Sequence, residues 1–487
     1  MARNISLKKN FIMNAILTMS SFIFPLITFP YISRILGPAG NGRVAFANSF
    51  VAYFSMFAQL GIPTYGIRAC AQVRDNKEEL TRTAHELLFI NFLTNLIAYS
   101  AFGIALFTVP RLRDDKLLFV IASSVILLTS IGMEWLYKAL EQYSYITIRS
   151  VIFKAIALIA MFLLVHKEED YIVYGALSIF AASASNVLNL INAHKYIGFK
   201  PIGNYHWKRH LKPVAVFFAM ACASTVYTNL DNVMLGFMGT DIDVGYYTAA
   251  VKIKTVLVSL VTSLGTVLLP RASYYIEQGN MDEFKRISSK ALNFVLLSAF
   301  PITLYFILFA KYGIFFLSGS EYAGSIIPMQ VIMPTVLLIG ITNIMGIQIL
   351  VPTNREKMVL YSLIAGAVID VIINALLIPS LKATGAAIGT VVAEGIVLVV
   401  QYIVLRDELE NVMKQIHYGR IIIASILGTG ASLWLVLLNL GNFLTLLISA
   451  CLFFGVYLGI MLLWKEELLV EIWGQFLNMI KKVLRRV

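Results

Sequence analysis

Eight ionisable side chains stand within or close to long apolar stretches: Glu134, Arg149, Lys154, Asp231, Lys252, Lys254, Asp370 and Glu394. On insertion scales each costs roughly 2.5–3.5 kcal/mol at the centre of a membrane helix. Groups that costly face an interior cavity or a partner. The four cations are what an anionic, phosphate-bearing ligand needs. The carboxylates suit a counter-ion or a proton carrier.

Spacing sorts them further. Glu134 and Lys138 are four residues apart, the geometry of a helical ion pair, and Arg149 lies at the same membrane level. Asp231 and Lys252 fall at similar depth, so pairing with each other is one reading of both. Lys252 and Lys254 project about 200° apart on a helix, so one of them points into a shared cavity. Glu394 falls near a span midplane, beyond the reach of snorkelling. A low-dielectric site disfavours its charged form, so it either binds a proton or is held by hydrogen bonds.

Other motifs carry less chemistry. "SRILGPAGNGRVAFANSF" (33–50) has glycines 37, 40 and 42. It lacks the Lys-Ser/Thr of a nucleotide loop and opens no strand–helix unit, so it reads as a turn between two spans. Arg34 or Arg43 there could add a contact to an anion. Pro25 and Pro30 interrupt the first apolar stretch, where proline removes a helical hydrogen bond; with Gly37 they mark a candidate hinge or gate. "HWKRH" (206–210) spaces two histidines four apart but has no glutamate between them, so no metal site is expected. Cys70, Cys222 and Cys451 show no metal or redox spacing.

The elements that must position these residues follow from composition. The chain has 487 residues, 59% hydrophobic and 14% charged. Soluble domains carry about 25% charged residues, and single cores stop growing near 250–300 residues. Apolar stretches long enough to cross about 30 Å of hydrocarbon recur throughout. They number about fourteen, so the expected fold is an all-α integral membrane protein. The expected organisation is two pseudo-symmetric six-helix lobes, 1–200 and 201–410, then two extra helices in 411–465.

Internal repetition supports the lobes. Leu36, Gly37, Gly40, Gly42, Ala47, Leu60, Gly61 and Arg68 are echoed by Leu235, Gly236, Gly239, Gly245, Ala250, Leu264, Gly265 and Arg271. "VYGALSIFAASAS" (173–185) is echoed by "ATGAAIGTVVAEG" (383–395). Six helices per repeat give both the same orientation.

Most Lys and Arg fall in loops on the side of the N-terminus. Loops on the other side are short and often acidic, as in "HKEED" and "GTDIDVG". Basic loops mark the cytoplasm, so both termini are expected inside, in a multi-pass bacterial inner-membrane protein. The net charge of +12 then needs no nucleic acid, because topology and anionic lipid account for it. Residues 466–487 place Leu469, Ile472, Trp473, Phe476 and Ile480 on one helical face and Lys481, Lys482, Arg485 and Arg486 on the other. Such a helix lies on the cytoplasmic leaflet.

The stretch 33–75, with "TNLDNVMLG", "VGYYTAAVKI" and "ATGAAIGTVVAEG", resembles the Wzx-type polysaccharide-biosynthesis flippases of the multidrug/oligosaccharidyl-lipid/polysaccharide exporter superfamily. The resemblance implies a non-enzymatic transporter with two lobes around a central cavity. Its implied cargo is an undecaprenyl diphosphate-linked oligosaccharide moved to the outer leaflet for O-antigen, capsule or exopolysaccharide assembly. Arg34, Arg149, Lys154, Lys252 and Lys254 are then the candidate headgroup ligands. Asp231, Asp370 and Glu394 are the candidate counter-ions or coupling groups. No cofactor is expected; protons and sodium are the candidate coupling ions. A polysaccharide polymerase and a chain-length regulator are candidate partners. The rival readings are a cation-coupled multidrug antiporter and, further off, a membrane polymerase or glycosyltransferase.

Overall fold

The computed structural model describes residues 7–414, 416–471 and 474. Most of the expected basic surface helix, including 475–487, lies outside the described residues. Those described form helices and connecting turns, with no strand among them. Twelve helices are long and apolar enough to cross a membrane, and a bent pair, Ser320–Ile332 with Pro334–Leu350, makes a thirteenth. Apolar side chains remain outward on them: Phe92, Leu163, Leu376 and Ile403 are each 67–68% exposed. Water would penalise such a surface, whereas lipid matches it.

The first of the twelve, Lys9–Gln72, has 64 residues. One crossing needs about 20. It comprises α1 (Leu7–Gln59) and α2 (Ile62–Gln72). Its two ends meet at one residue: Asn10 Nδ2 donates to Glu141 Oε2 at 3.4 Å, and Arg74 Nη1 to Glu141 Oε1 at 2.8 Å. The chain therefore crosses and returns. The reversal sits at Gly37, whose φ of 61° and ψ of −177° leave the helical region inside α1. Positive φ favours glycine, and Pro38 follows at the first position of the next helix, where its missing N–H costs nothing. Counted as two crossings, this segment brings the total to the fourteen read from the sequence.

The sequence reading of 37–42 as a turn is corrected here. Only Gly37 breaks the helix; Gly40 and Gly42 lie within it. Pro25 and Pro30 also lie inside α1 and do not interrupt its assignment.

The chain packs as two units, Met1–Thr248 and Ala249–Val487. In the first, α1 is the hub for α3 (Lys77–Thr108), α4 (Lys116–Ile131), α5 (Tyr143–Leu164), α6 (Tyr171–Ile179) and α7 (Lys208–Met238). The seventh crossing, α7, thus packs within the first unit. The division falls inside α8 (Asp241–Glu277).

The second unit contains α9 (Met281–Leu308), the bent pair, α10 (Glu356–Leu381), α11 (Ala383–Lys414), α12 (Tyr418–Leu433) and α13 (Asn442–Leu463). Two tyrosines fasten the last crossing to α9. Tyr305 donates to the Leu446 carbonyl and Tyr457 to the Leu297 carbonyl, both at 2.8 Å. Each bond satisfies a buried hydroxyl that hydrocarbon could not.

Candidate functional site

Within the first unit, α1, α2, α4, α6 and α7 surround a cavity of 460 Å³. Its polar lining is Asn48, Ser55, Gln59, Thr64, Ser178, Thr225 and Asn229, and none of its lining residues is ionisable. Asn48, Ser55 and Gln59 recur at helical spacing on α1, and Thr225 and Asn229 are four apart on α7. That polar stripe on apolar helices was the available signal, and a search for charges passes over it. Local bonds hold the lining: Gln59 Nε2 donates to Ser55 Oγ at 2.8 Å and Asn229 Nδ2 to the Thr225 carbonyl at 3.1 Å. Beside it the sixth crossing loosens into a π turn at Phe180–Ala184, of which Ala182 lines the cavity. Single π turns widen a helix and recur at functional sites. Neutral amides and hydroxyls are suited to sugar hydroxyl and acetamido groups; they do not neutralise a diphosphate.

The cations of the first unit fall into two kinds. Arg149 is buried and already engaged. It donates to Ser185 Oγ at 2.8 Å and Asn186 Oδ1 at 3.0 Å, with Glu134 at 3.7 Å. Glu134 also pairs with Lys138 at 2.9 Å, as the spacing required. Lys154 is different. It stands mid-helix in α5, half-buried, with Nζ 2.9 Å from both Ser20 and Ser21 Oγ of α1. No carboxylate pairs with it among the described residues. Its charge is therefore available to an anion. Arg34 is exposed near the Gly37 end of the first crossing and donates to the Pro30 carbonyl.

Asp231 is buried and accepts a hydrogen bond from the Tyr247 hydroxyl, a partner that sequence depth did not suggest. Its neighbour Asn232 donates to Ser49 Oγ at 3.1 Å, tying α7 to α1. In the second unit, Lys252 and Lys254 are half-buried on α8. Asp370 is buried on α10 and accepts from Asn374 Nδ2 at 3.2 Å, one turn along. Gly389 of α11 packs against that pair; a Cβ there would stand 2.1 Å from Asn374 Oδ1. Glu394 is 3% exposed on α11. The structure thus brings Lys154 to the α1 serines and Asp370 to Asn374.

The loop ends away from the basic face carry an ion cluster that charge-by-charge reading missed. Asp241 accepts from Arg43 Nε at 3.2 Å and from Arg111. Arg111 Nε also donates to the Gly236 carbonyl at 3.1 Å, near the end of α7. Asp115 lies 3.7 Å from Arg43 and accepts from Tyr171 at 2.7 Å. Four short loops are joined in this way. Arg43 is consequently paired with acids and unavailable as a free anion contact.

A family model described as polysaccharide biosynthesis protein matches residues 7–276, more than half of the chain. The chain belongs to this family. A second model, MatE, matches residues 216–376 of this polysaccharide biosynthesis protein. A curated relative from Escherichia coli K12, named "Putative O-antigen transporter", is 24% identical over 405 residues, 83% of this chain and 97% of its own. One of the same name from Shigella dysenteriae is 23% identical, over 75% of this chain and 91% of its own. Among solved structures, the lipid II flippase MurJ in an inward closed conformation matches with a TM-score of 0.67 at 16% identity, over 94% of this chain and 99% of that one. An inward-facing multidrug resistance MATE family transporter matches at 0.59 and 13% identity, over 83% and 99%. These likenesses show that the chain shares the fold of both transporters. The protein is an all-α, multi-pass membrane transporter.

Proposed function

We propose that this protein translocates undecaprenyl diphosphate-linked oligosaccharide repeat units from the inner to the outer leaflet of a bacterial cytoplasmic membrane. The products would feed O-antigen, capsule or exopolysaccharide assembly. The observation that carries the reading is that one unit holds both a neutral, hydrogen-bonding cavity and, outside its lining, Lys154, a mid-membrane cation whose contacts are hydroxyls. Sugars fit the first and a diphosphate fits the second. Lys252 and Lys254 are the candidate cations of the second unit, and Arg34 a further one. The named relatives support the cargo class.

Orientation in this reading follows the basic loops: both termini face the cytoplasm, and the Arg43–Asp241 cluster faces outward. Anionic lipid would hold the basic C-terminal segment. A polymerase and a chain-length regulator are the natural receivers of the flipped unit.

The MatE match and the MATE structural likeness favour a second reading, a cation-coupled multidrug antiporter. Against it, the 460 Å³ cavity has no acid in its lining to attract a cationic drug. The deciding experiment reconstitutes the protein in liposomes with a fluorescent undecaprenyl diphosphate-oligosaccharide. Protein-dependent exposure of the sugar on the opposite leaflet supports the flippase. Proton- or sodium-driven uptake of ethidium, with no sugar translocation, supports the antiporter. For orientation, a cysteine at Gly239 is expected to react with an impermeant thiol reagent from outside intact cells, and one at Arg271 is not.

A further inference from the structure

At the basic face, one histidine joins three helices. His210 lies in the first turn of α7 and is 4% exposed. Its Nε2 is 2.7 Å from Glu86 Oε2 of α3, and its Nδ1 is 2.8 Å from the Tyr65 hydroxyl of α2. Glu86 is fully matched: Arg209 approaches Oε2 with Nε at 3.0 Å and Nη2 at 2.9 Å, and the His206 backbone N–H reaches Oε1. Glu86 and Arg209 are the charged groups that act on the ring, and Arg68 and Cys70 act on Tyr65 from its own helix. His85, beside Glu86, is occupied by the Gly198 carbonyl at 2.7 Å and Tyr205 at 3.1 Å.

We infer that His210 is a proton-binding site whose occupancy controls whether the basic-face end of α7 stays clamped to α2 and α3. The neutral ring satisfies every bond in this arrangement. Its Nε2–H donates to Glu86, and its Nδ1 accepts from the Tyr65 O–H, a tautomer assigned from the partners. A proton added at Nδ1 reverses that last bond. The phenol must then turn its own hydrogen away and give up that bond. The new cation also lies beside Arg209, whose Nε is 3.4 Å from the ring. Glu86 draws the cation from the Nε2 side, but it shares its charge with the Arg209 guanidinium. Proton uptake therefore loosens the clamp, and proton release sets it. Imidazole is the side chain that titrates in the cytoplasmic pH range. None of these residues lines the cavity, and the site makes no use of the proposed cargo.

Hydrogen exchange on the full-length protein in nanodiscs tests this without any substrate. Protection of backbone amides in 206–214, corrected for intrinsic rates, is expected to fall as pH drops from 8 to 5.5. The slope should approach roughly tenfold per pH unit, the limit for one linked proton. His210→Gln supplies an amide donor for Glu86 and a carbonyl acceptor for Tyr65 but cannot titrate. Its protection should be high and flat across the same range. If that variant does not fold, Tyr65→Phe serves: it removes the hydroxyl that the protonated ring opposes, so the pH slope of protection should flatten. Flat protection in the wild type overturns the inference. So does an unchanged pH slope in His210→Gln, which would place the titrating group elsewhere, or an unchanged slope in Tyr65→Phe.

Discussion

Gly42 and Gly245 face each other across the first unit. A Cβ on Gly42 would stand 1.7 Å from the Asp241 carbonyl oxygen and 2.9 Å from the Gly245 nitrogen. One on Gly245 would stand 2.0 Å from the Pro38 carbonyl oxygen. These two glycines occupy matching places in the sequence repeat. Both contacts are to backbone, so no rotamer change relieves them. Gly42→Ala is expected to destabilise the protein by about 1–3 kcal/mol or more through overpacking. Gly103→Ala is the control, since nothing lies within 4 Å of a Cβ there. Thermal unfolding of purified protein should show a lower midpoint for the first and no loss for the second.

Asp241 draws Arg43 and Arg111 together beside that glycine contact. Asp241→Asn keeps the size and removes the charge that both guanidinium groups share. Each charge-assisted bond lost is worth roughly 1.5–3 kcal/mol when shielded. The loops it joins should separate more often. A cysteine at Asn48, which lines the cavity, is then expected to react faster with an impermeant reagent applied from that face. Equal rates in the variant and parent would show that the cluster does not control access.

Lys154 and Arg149 lie on the same helix and should fail differently. Lys154→Ala is expected to reach the membrane at normal abundance and lose polymer export, with Lys154→Arg restoring part of it. Arg149→Ala instead strips partners from Ser185 and Asn186, which sit next to the π turn. Its main expected effect is lower abundance. Immunoblots of membranes beside polymer gels separate the two outcomes. If Lys154→Ala exports normally, the headgroup site lies with Lys252, Lys254 or Arg34.

The cavity lining sets a fourth expectation. Asn229→Leu replaces an amide with an isosteric apolar group, leaving any sugar hydroxyl there without a partner. One lost hydrogen bond of this kind costs about 1–3 kcal/mol, or 5- to 150-fold. Reconstituted translocation should lose affinity for the oligosaccharide while a bare undecaprenyl diphosphate competes as before.

Coupling is tested at Glu394. Glu394→Gln is expected to slow translocation or change its pH profile, whereas Asp231→Asn, which weakens the bond to Tyr247, should mainly lower abundance or affinity. A wild-type profile in Glu394→Gln reassigns that residue to hydrogen bonding within α11.

The repeated membrane crossings were legible in the sequence, because twenty apolar residues in a row have no other stable use than spanning a bilayer, and the transporter class was legible in its resemblance to a known family. The Glu134–Lys138 pair was legible too, since both partners lie on one helix. What only the tertiary structure decided was every relation between helices. Depth along a span says nothing about which neighbour a side chain meets, so Asp231 could be placed at the level of Lys252 but not against Tyr247. Gly37, Gly40 and Gly42 signalled close packing, yet only the fold separates the reversal at Gly37 from the contact at Gly42. The uncharged cavity and the Tyr65–His210–Glu86 clamp each collect residues more than a hundred positions apart, and the distances that make them sites exist only once those helices are side by side.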